Sequence, residues 1–420
     1  MRRHGARLRE RGLRLVLADD FLVDEDRELF DDVLELPPPA CVGEALRVLE
    51  AYCARHQVAG VLAETEAGLL PGALLIQRLG LRGPSPGAAH LCTNKYRSRL
   101  ALEEAGVGVP RFALGSTAAD VRAFARENGL PLVLKPIAST LGQGVTLVRR
   151  EETIDSAVER VRSAMSTSPH LERLQQFARA ARAELACEPE RQFLVESFAR
   201  GSPVETDGLV IDGEPFTFGV TDQVLTPPPY FYIEGYLLPA ERPREELEAI
   251  VHASDAALRA VGLDRSGFSI ELRADGLDVR VIDLNGRLGE DDGFGQMFRA
   301  ATGRQPMLHA IELAAGLEVG PDAAHGPRCA LAYLSSFVEG VVTRAPCPDE
   351  VAEVESSGVE VGISAWVGSR MRAPPHPETF PHMAFALATH PSSSRAAYER
   401  AREAVLRLPF EVRPDGSEAP

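Results

Sequence analysis

The sequence predicts a mixed α/β and α+β protein whose N-terminal part is a Rossmann-like parallel sheet. In the first ninety residues, strand and helix signals alternate at 13–18, 42–56, 58–63 and 66–79. Strands that alternate with helices indicate a parallel sheet covered by those helices. Farther along, Asp212-Gly213 and Asp275-Gly276 each separate two strand-like runs. Such dipeptides are typical of antiparallel hairpins, so the middle of the chain is predicted to be α+β.

Caps and turn residues place the remaining elements. The segment 83–87, Gly-Pro-Ser-Pro-Gly, marks a boundary. Helices are predicted at 88–105, 118–128, within 151–190, and at 250–261 and 395–406. Strands are predicted to begin at 110 and to occupy 193–195, 209–211, 216–220, 267–273, 279–284, 330–334 and 359–363. We predict three parts, at 1–90, 91–315 and 316–420.

Length and composition are those of a globular enzyme. The 420 residues suffice for two or three packed units, and 45% hydrophobic with 25% charged residues is ordinary. The formal net charge of −16 argues against a nucleic-acid surface, which would need a basic face. No apolar run approaches the ~18 residues that a membrane span requires. The six cysteines form no CxxC pair, so we expect reduced thiols and a cytoplasmic protein.

Lysine occurs only at Lys95 and Lys135, although Lys and Arg together number 45. Lys135 ends a short apolar run, and a glycine-bearing loop, Ser-Thr-Leu-Gly-Gln-Gly-Val at 139–145, follows it. A lysine ammonium is a compact, mobile charge that suits a phosphate chain. The alternative is that an arginine bias left two accidental lysines. The strand, lysine and loop together favour phosphate binding.

The second predicted hairpin, at Asp275-Gly276, carries side chains whose oxygen atoms could bind a metal ion. Glu271 lies on one strand, and Asp283, Asn285 and Arg287 alternate along the other, so their side chains can share a face. Two carboxylates and an amide oxygen suit Mg²⁺, and a guanidinium beside them could stabilise a transferred phosphoryl group. The alternative is an exposed polar hairpin face. The apolar neighbours of Asp283 favour a buried, paired carboxylate instead.

Two lysines, a glycine loop, a Val-Glu strand and a terminal acid–Asn–Arg strand, in this order, resemble the ATP-grasp superfamily. The greatest likeness is to its carboxylate–amine ligases, which include L-amino-acid ligases and carnosine-synthase-like enzymes. The resemblance covers most of the chain. It implies a pre-ATP-grasp N-terminal domain, a central ATP-grasp fold and a small C-terminal α/β lobe that completes the cleft.

The resemblance also implies roles for individual residues. ATP would be bound by Lys95, Lys135, Ser139, Gly142, Gln143, Gly144, Glu196, Ser197, Phe198, Ala199 and Glu205. Mg²⁺, with Mn²⁺ as an alternative, would be bound by Glu271, Asp283 and Asn285. Arg287 and Lys135 would be catalytic, with Arg287 steadying the acyl-phosphate transition state. Pro203 takes the place of the family's ribose-binding Glu, so Glu205 or Asp207 is expected to replace it.

The implied reaction joins an amino acid or small carboxylate to an amine through an acyl phosphate. Substrate candidates are Glu234, Arg287, Glu290 and Asp291, because acids near an amine site attract an ammonium group. The partners are the carboxylate and amine substrates, with no nucleic acid and no membrane, and a homodimer is a family-level expectation. Two alternatives stay open: an ATP-grasp carboxylase or formate-using transferase, and a nucleotide-binding protein without catalysis.

Overall fold

A computed structural model describes residues 5, 8–38, 41–166, 168–228, 230–289, 291–319, 326–374, 376 and 379–416. Its strands are β1 (Val16–Asp19), β2 (Asp32–Glu35), β3 (Phe112–Gly115), β4 (Leu132–Pro136), β5 (Thr146–Val148), β6 (Phe193–Ser197), β7 (Ser202–Ile211), β8 (Glu214–Leu225), β9 (Ile233–Leu238), β10 (Ser266–Asp275), β11 (Asp278–Asn285), β12 (Arg328–Ser335), β13 (Gly340–Arg344), β14 (Glu360–Ile363), β15 (Arg370–Met371), β16 (His382–His390) and β17 (Glu411–Pro414). Its helices are α1 (Asp24–Leu29), α2 (Val42–Cys53), α3 (Glu66–Leu79), α4 (Pro86–Thr93), α5 (Lys95–Glu104), α6 (Ala118–Asn128), α7 (Ile154–Ser166), α8 (Pro169–Ala181), α9 (Arg244–Val261), α10 (Phe294–Thr302), α11 (Pro306–Ala314), α12 (Pro348–Glu355) and α13 (Ser394–Val405), with a 3₁₀ turn at Glu151–Thr153.

The N-terminal part contains a parallel pair, β1 with β2, as the alternation of strands and helices predicted. The predicted strand at 58–63 is wrong, because this segment is irregular and β2 pairs with β1 instead. Gly60 explains the difference. A Cβ on Gly60 would lie 2.0 Å from the carbonyl oxygen of Ala314. The segment therefore packs closely against the end of α11 rather than pairing in the sheet.

A four-stranded antiparallel sheet, in the order β3-β6-β4-β5, forms one wall of the central region. Its inward side chains, among them Leu132, Leu134, Phe193 and Val195, are fully buried in the main core with residues of α7. Because successive strand residues face opposite sides, this packing leaves Lys135 and Glu196 on the other face.

The opposing wall is an eight-stranded antiparallel sheet, in the order β11-β10-β7-β8-β9-β12-β16-β14. The predicted hairpin at Asp212-Gly213 is confirmed: β7 pairs with β8, and both turn residues have positive φ, 52° and 83°. The sheet runs across residue 316, because β12, β14 and β16 belong to it. The division of the chain at that residue stays a prediction. A further sheet, β15-β13-β17, lies outside these walls.

The helix predicted at 88–105 is two helices, α4 and α5, that meet at Asn94. The Asn94 side chain accepts a hydrogen bond from the N–H of Arg97 at 3.1 Å, which caps α5. The N–H of Lys95 donates to the carbonyl of Ile137 at 2.9 Å. The break therefore places Lys95 at the start of a helix and beside the strand that carries Lys135. Among the described helices, none is long and apolar enough to cross a membrane.

Candidate active site

A cleft between the two walls encloses about 1320 Å³, including the part open to solvent. Most of the residues predicted from the sequence line it together. They are Lys95, Lys135, Ser139, Gly142, Glu196, Ser197, Phe198, Ala199, Glu205, Glu271, Asp283, Asn285, Arg287 and Asp291. Gln143, Gly144 and Glu234 are not among the described residues that line the cleft, and Glu290 lies outside the described residues.

Both lysines are buried and each is paired with a carboxylate. Lys135 Nζ lies 2.6 Å from Glu196 Oε2, and Lys95 Nζ forms an ion pair with Asp283. Burial lowers the pKa of Lys135, which the charge of Glu196 opposes. Although burial opposes it, Lys95 holds the pKa of Asp283 below its usual value. The two lysine side chains therefore line the cleft, each held by a carboxylate.

Arg99 is a site residue that the sequence did not single out. Its side chain is 0% exposed. The Arg99 Nε donates to Glu196 Oε1 at 2.5 Å, and Nη2 donates to the carbonyl of Ile282. Burial alone would raise the pKa of Glu196, but Arg99 and Lys135 hold it below its usual value. The Glu196 carboxylate thus forms ion pairs with two side chains, Arg99 and Lys135. Arg99 lies 97 residues away from it in the sequence.

The segment Ser197-Phe198-Ala199 leaves β6 at the edge of the cleft. The Ser197 hydroxyl accepts a hydrogen bond from the N–H of Arg111 at 3.0 Å, and the N–H of Phe198 donates to the carbonyl of Pro131 at 3.1 Å. The guanidinium of Arg273 lies 5.3 Å from the centre of the Phe198 ring. These contacts fix the backbone of the segment that the resemblance assigns to adenine.

The loop at 139–145 forms a tight turn, and part of it lines the cleft together with the two lysines. The N–H of Gln143 donates to the carbonyl of Thr140 at 2.9 Å, and Gly142 and Gly144 have φ of 70° and 72°. The Gln143 side chain donates to the carbonyl of Thr379 at 3.2 Å. Gln143 therefore docks the loop on the C-terminal part, and Gly144 shapes the turn. In this conformation neither faces the cleft, where the resemblance had placed both as nucleotide contacts.

The second predicted hairpin carries the expected oxygen ligands on one face. Glu271 stands directly opposite Asp283 in the β10–β11 pairing, and Asn285 stands opposite Ser269. Burial, and then the charge of Asp283, raise the pKa of Glu271 to about 7. The described residues hold no group of three or more His, Cys, Asp or Glu placed to bind a metal. Two carboxylates with an amide fit Mg²⁺, which retains waters and substrate phosphate oxygens as further ligands.

Arg287 is 4% exposed and is held from several sides. Its Nη1 donates to the carbonyl of Leu288 at 2.8 Å, and its Nη2 donates to Thr140 Oγ1 at 3.4 Å. Its Nε lies 3.6 Å from Glu66 Oε2. Burial raises the pKa of Glu66, which Arg287 opposes. Glu66 begins α3, so the N-terminal part reaches the cleft through a residue that sequence reasoning missed.

Acidic groups extend beyond the hairpin. Glu205 accepts hydrogen bonds from Gln223 Nε2 at 2.6 Å and from Ser269 Oγ at 3.0 Å. Burial, and then the charge of Asp207, raise the pKa of Glu205 well above its usual value. Burial raises the pKa of Asp207 to about 8. Glu205 lines the cleft, as does Pro203.

A stacking contact with Tyr333 helps to position His382 at the cleft. The ring of His382 stacks on Tyr333 at 4.1 Å, and its Nε2 donates to the carbonyl of Ile233 at 2.8 Å. His382 lines the cleft and is a residue that the sequence analysis did not single out. Glu234, predicted as a substrate residue, lies instead near Tyr398. Burial, and then the charge of Glu234, raise the pKa of Tyr398.

Comparison with known proteins agrees with this geometry. Residues 128–293 match the family model of the ATP-grasp domain. The chain is 30% identical over 249 residues to the uncharacterized protein y4rH of Sinorhizobium fredii, covering 59% of this chain and 46% of that protein. It is 28% identical over 237 residues to alanine–anticapsin ligase of Bacillus subtilis, covering 56% and 49%. The chain thus spans about half the length of these curated relatives.

The fold resembles that of a solved L-amino acid ligase from Bacillus licheniformis. The TM-score is 0.81 at 20% identity, and the superposition covers 98% of this chain and 96% of that one. The likeness extends over the N-terminal parallel pair, the central sheets and the C-terminal part. The predicted mixed α/β and α+β architecture with an ATP-grasp fold is therefore confirmed.

Proposed function

We propose that this chain, whose residues 128–293 form an ATP-grasp domain, is an ATP- and Mg²⁺-dependent carbon–nitrogen ligase. It would join an amino acid or other small carboxylate to an amine through an acyl phosphate, with release of ADP and phosphate. The observation that carries this proposal is the convergence of two lysines, the Glu–Asp–Asn set and Arg287 in one cleft. The ligase names of the relatives support it.

The buried lysines would bind the ATP phosphates. Lys95 and Lys135 sit in ion pairs with Asp283 and Glu196, and phosphate oxygens offer the same kind of charge-assisted hydrogen bond. Glu271, Asp283 and Asn285 would hold Mg²⁺, which neutralises phosphate charge when bound. The raised pKa of Glu271 fits this role, because a cation relieves its repulsion from Asp283.

Arg287 would orient the reacting carboxylate and stabilise charge on the transferred phosphoryl group. The guanidinium is already positioned by Leu288, Thr140 and Glu66, so little rearrangement is needed at the moment of reaction. The loop at 139–145 would cover the acyl phosphate and exclude water, which otherwise hydrolyses such an intermediate. Pro203 lies at the ribose position implied by the resemblance, and Glu205, which lines the cleft, is our choice to replace the missing Glu.

ADP release tests the proposal. The purified protein with Mg²⁺-ATP is given amino acids and small carboxylates, singly and in pairs with amines. We expect turnover that needs two substrates, and we expect Lys135→Ala to abolish it. Arg150→Ala, which removes an exposed cation near the same sheet, is the matched control and should retain activity.

Other outcomes separate the alternatives. Turnover with bicarbonate or formate in place of the carboxylate–amine pair would identify a carboxylase or a formate-using transferase. ATP binding without turnover for any substrate would identify a nucleotide-binding protein. The complete set of Lys135, Glu271, Asp283, Asn285 and Arg287 favours catalysis over that last alternative. A cytoplasmic location and a homodimer belong to the same proposal as family-level expectations.

A further inference from the structure

His382, at the start of β16, is a buried histidine whose ring is packed between other aromatic rings. It is 3% exposed and lines the cleft. Its ring is nearly parallel to that of Tyr333, with 4.1 Å between the ring centres and 6° between the planes. The ring of Phe380 meets it edge-on at 5.2 Å. These contacts hold the imidazole of His382 in one orientation.

The two ring nitrogens of His382 have different surroundings. Nε2 lies 2.8 Å from the carbonyl oxygen of Ile233. A carbonyl oxygen only accepts hydrogen bonds, so Nε2 carries a proton and the neutral ring has its lone pair at Nδ1. Nδ1 is buried and has no hydrogen-bond partner within the part of the chain that the structure describes. A buried acceptor without a donor is costly, so Nδ1 suits a ligand that donates.

His382 and Arg287 are connected to the same glycine-bearing loop. Arg287 Nη2 donates to Thr140 Oγ1 at 3.4 Å, at the start of the loop. The Gln143 side chain, near its end, donates to the carbonyl of Thr379 at 3.2 Å, three residues before His382 in the chain. Both Arg287 and His382 line the cleft. The imidazole thus borders the part of the cleft that the loop covers, where we place the acyl phosphate.

We propose that His382 is the base that accepts a proton, at Nδ1, from the amine that attacks the acyl phosphate. The inference rests on the proposed ligase function and adds a catalytic residue to it. Amines are mostly protonated at neutral pH, and an ammonium group has no lone pair with which to attack. Imidazole suits the transfer, because its ordinary pKa of about 6.5 lies near neutral pH, whereas that of a carboxylate is about 4.

The carboxylates that line the cleft have other partners or roles. Glu196 and Asp283 form ion pairs with the two lysines. We assign Glu271 to Mg²⁺ and Glu205 to ribose, and Asp291 accepts a hydrogen bond from a tyrosine hydroxyl. Among the described residues, no second histidine lines the cleft. The imidazole is therefore the group best suited to take the proton.

The proposed step forms one carbon–nitrogen bond. An N–H bond of the ammonium group breaks, and its proton passes to Nδ1 of His382. The freed electron pair bonds to the carbonyl carbon of the acyl phosphate, and the carbon–oxygen bond to phosphate then breaks with its electron pair. The departing phosphate takes the second proton that the nitrogen loses, and the imidazolium returns its proton to water. The carbonyl of Ile233 stabilises the imidazolium through Nε2.

Two nucleophiles that differ in protonation test the inference. Hydroxylamine is mostly unprotonated at neutral pH, so it attacks an acyl phosphate without help from a base, whereas an amino acid arrives as the ammonium form. ADP release is measured with the pair of common L-amino acids that gives the fastest turnover, and then with hydroxylamine in place of the amine. His382→Gln should lower kcat with the amine by about 100-fold and leave kcat with hydroxylamine nearly unchanged.

The choice of variants separates proton transfer from packing. Glutamine at position 382 can still donate to the carbonyl of Ile233, but its side chain is not basic. His382→Phe, a second variant, keeps an aromatic ring against Tyr333 and should show the same selective loss. His252→Gln, at an exposed position of α9, is the control and should retain both activities.

The results that would overturn the inference differ from one another. Equal losses with the amine and with hydroxylamine would show that His382 only supports the structure. A higher KM for the amine with unchanged kcat would show that His382 binds the amine without taking its proton. Wild-type protein that releases no ADP with any acid and either nucleophile would contradict the ligase function, and the inference with it.

Discussion

Arg287 shows how the position of a single buried side chain depends on distant parts of the chain. Its guanidinium is held by Leu288 on its own segment, by Thr140 of the glycine loop and by Glu66 of α3. The planar fork of arginine lets one side chain satisfy these partners together. A lysine would keep the charge but could not reproduce the geometry.

Replacement of Arg287 by Lys should therefore lower kcat by about 100-fold, because the lost donors act on charge that develops in the transition state. ATP affinity should change little, since we propose that Lys95 and Lys135 make the phosphate contacts. Steady-state kinetics and nucleotide binding measure the two effects separately. Arg259→Lys, at an exposed ion pair with Glu214, is the control. An Arg287→Lys enzyme with normal kcat would remove Arg287 from the mechanism.

The sequence predicted the placement of a side chain where its spacing along a strand or hairpin is enough to show which face it lies on. Asp283 and Asn285 are two residues apart on a strand, so alternation places them on one face, and Glu271 follows from the hairpin. Arg99 and Glu66 could not be found this way. Each belongs to a helix, and only the tertiary fold brings them to Glu196 and Arg287.

The glycine loop between β4 and β5 is the element that we propose to cover the phosphates. Gly144 has φ of 72°, and a Cβ there would lie 2.8 Å from the Ala164 side chain and 2.9 Å from that of Pro136. Position 144 thus needs glycine both for its backbone conformation and for the lack of space. The tip of the loop is joined to the C-terminal part by the hydrogen bond from the Gln143 side chain to the carbonyl of Thr379.

Replacement of Gly144 by Ala should impair ATP binding as well as stability. The left-handed conformation costs about 1–2 kcal/mol for a residue with a Cβ, and the close contacts must also push the loop away from its position. Gly80→Ala is the matched control, because Gly80 also has a positive φ of 66° but nothing within 4 Å of its Cβ position. Thermal unfolding should show a loss for both variants. A weaker ATP affinity is expected for Gly144→Ala alone, and equal ATP affinities would disprove the steric argument.

Turns and helices were predicted correctly where residues close together in the sequence determine them. The Asp212-Gly213 turn and the capped α6 are local features, and both were confirmed. The segment 58–63 has an apolar sequence that is typical of a strand. It is irregular instead, and its backbone packs closely against the end of α11 at Gly60. The break between α4 and α5 at Asn94 was not predicted either. The sequence there has a continuous helical pattern, and the break depends on the hydrogen bond from the N–H of Lys95 to the carbonyl of Ile137, which forms only in the folded protein.

At the scale of the whole molecule, the cleft is assembled from every part of the chain. Glu66 of the N-terminal part contacts Arg287 at the cleft. The lysines and the β10–β11 hairpin of the centre line it, and so does His382 of the C-terminal part. The order of motifs in the sequence predicted this convergence through the resemblance to ATP-grasp ligases. Substrate identity was not predictable, because the folded cleft brings together side chains such as Tyr236 and Asp291 that are far apart in the sequence.

Transfer of oxygen from the carboxylate to phosphate tests the acyl-phosphate mechanism most directly. The acid that supports ADP release is labelled with oxygen-18 in its carboxylate, and the released phosphate is analysed by mass spectrometry. One labelled oxygen should appear in each phosphate, because the carboxylate oxygen bonds to the γ-phosphorus and leaves with it when the amine attacks. Lys135→Ala should release no labelled phosphate. Amide formation with unlabelled phosphate would contradict the proposed mechanism.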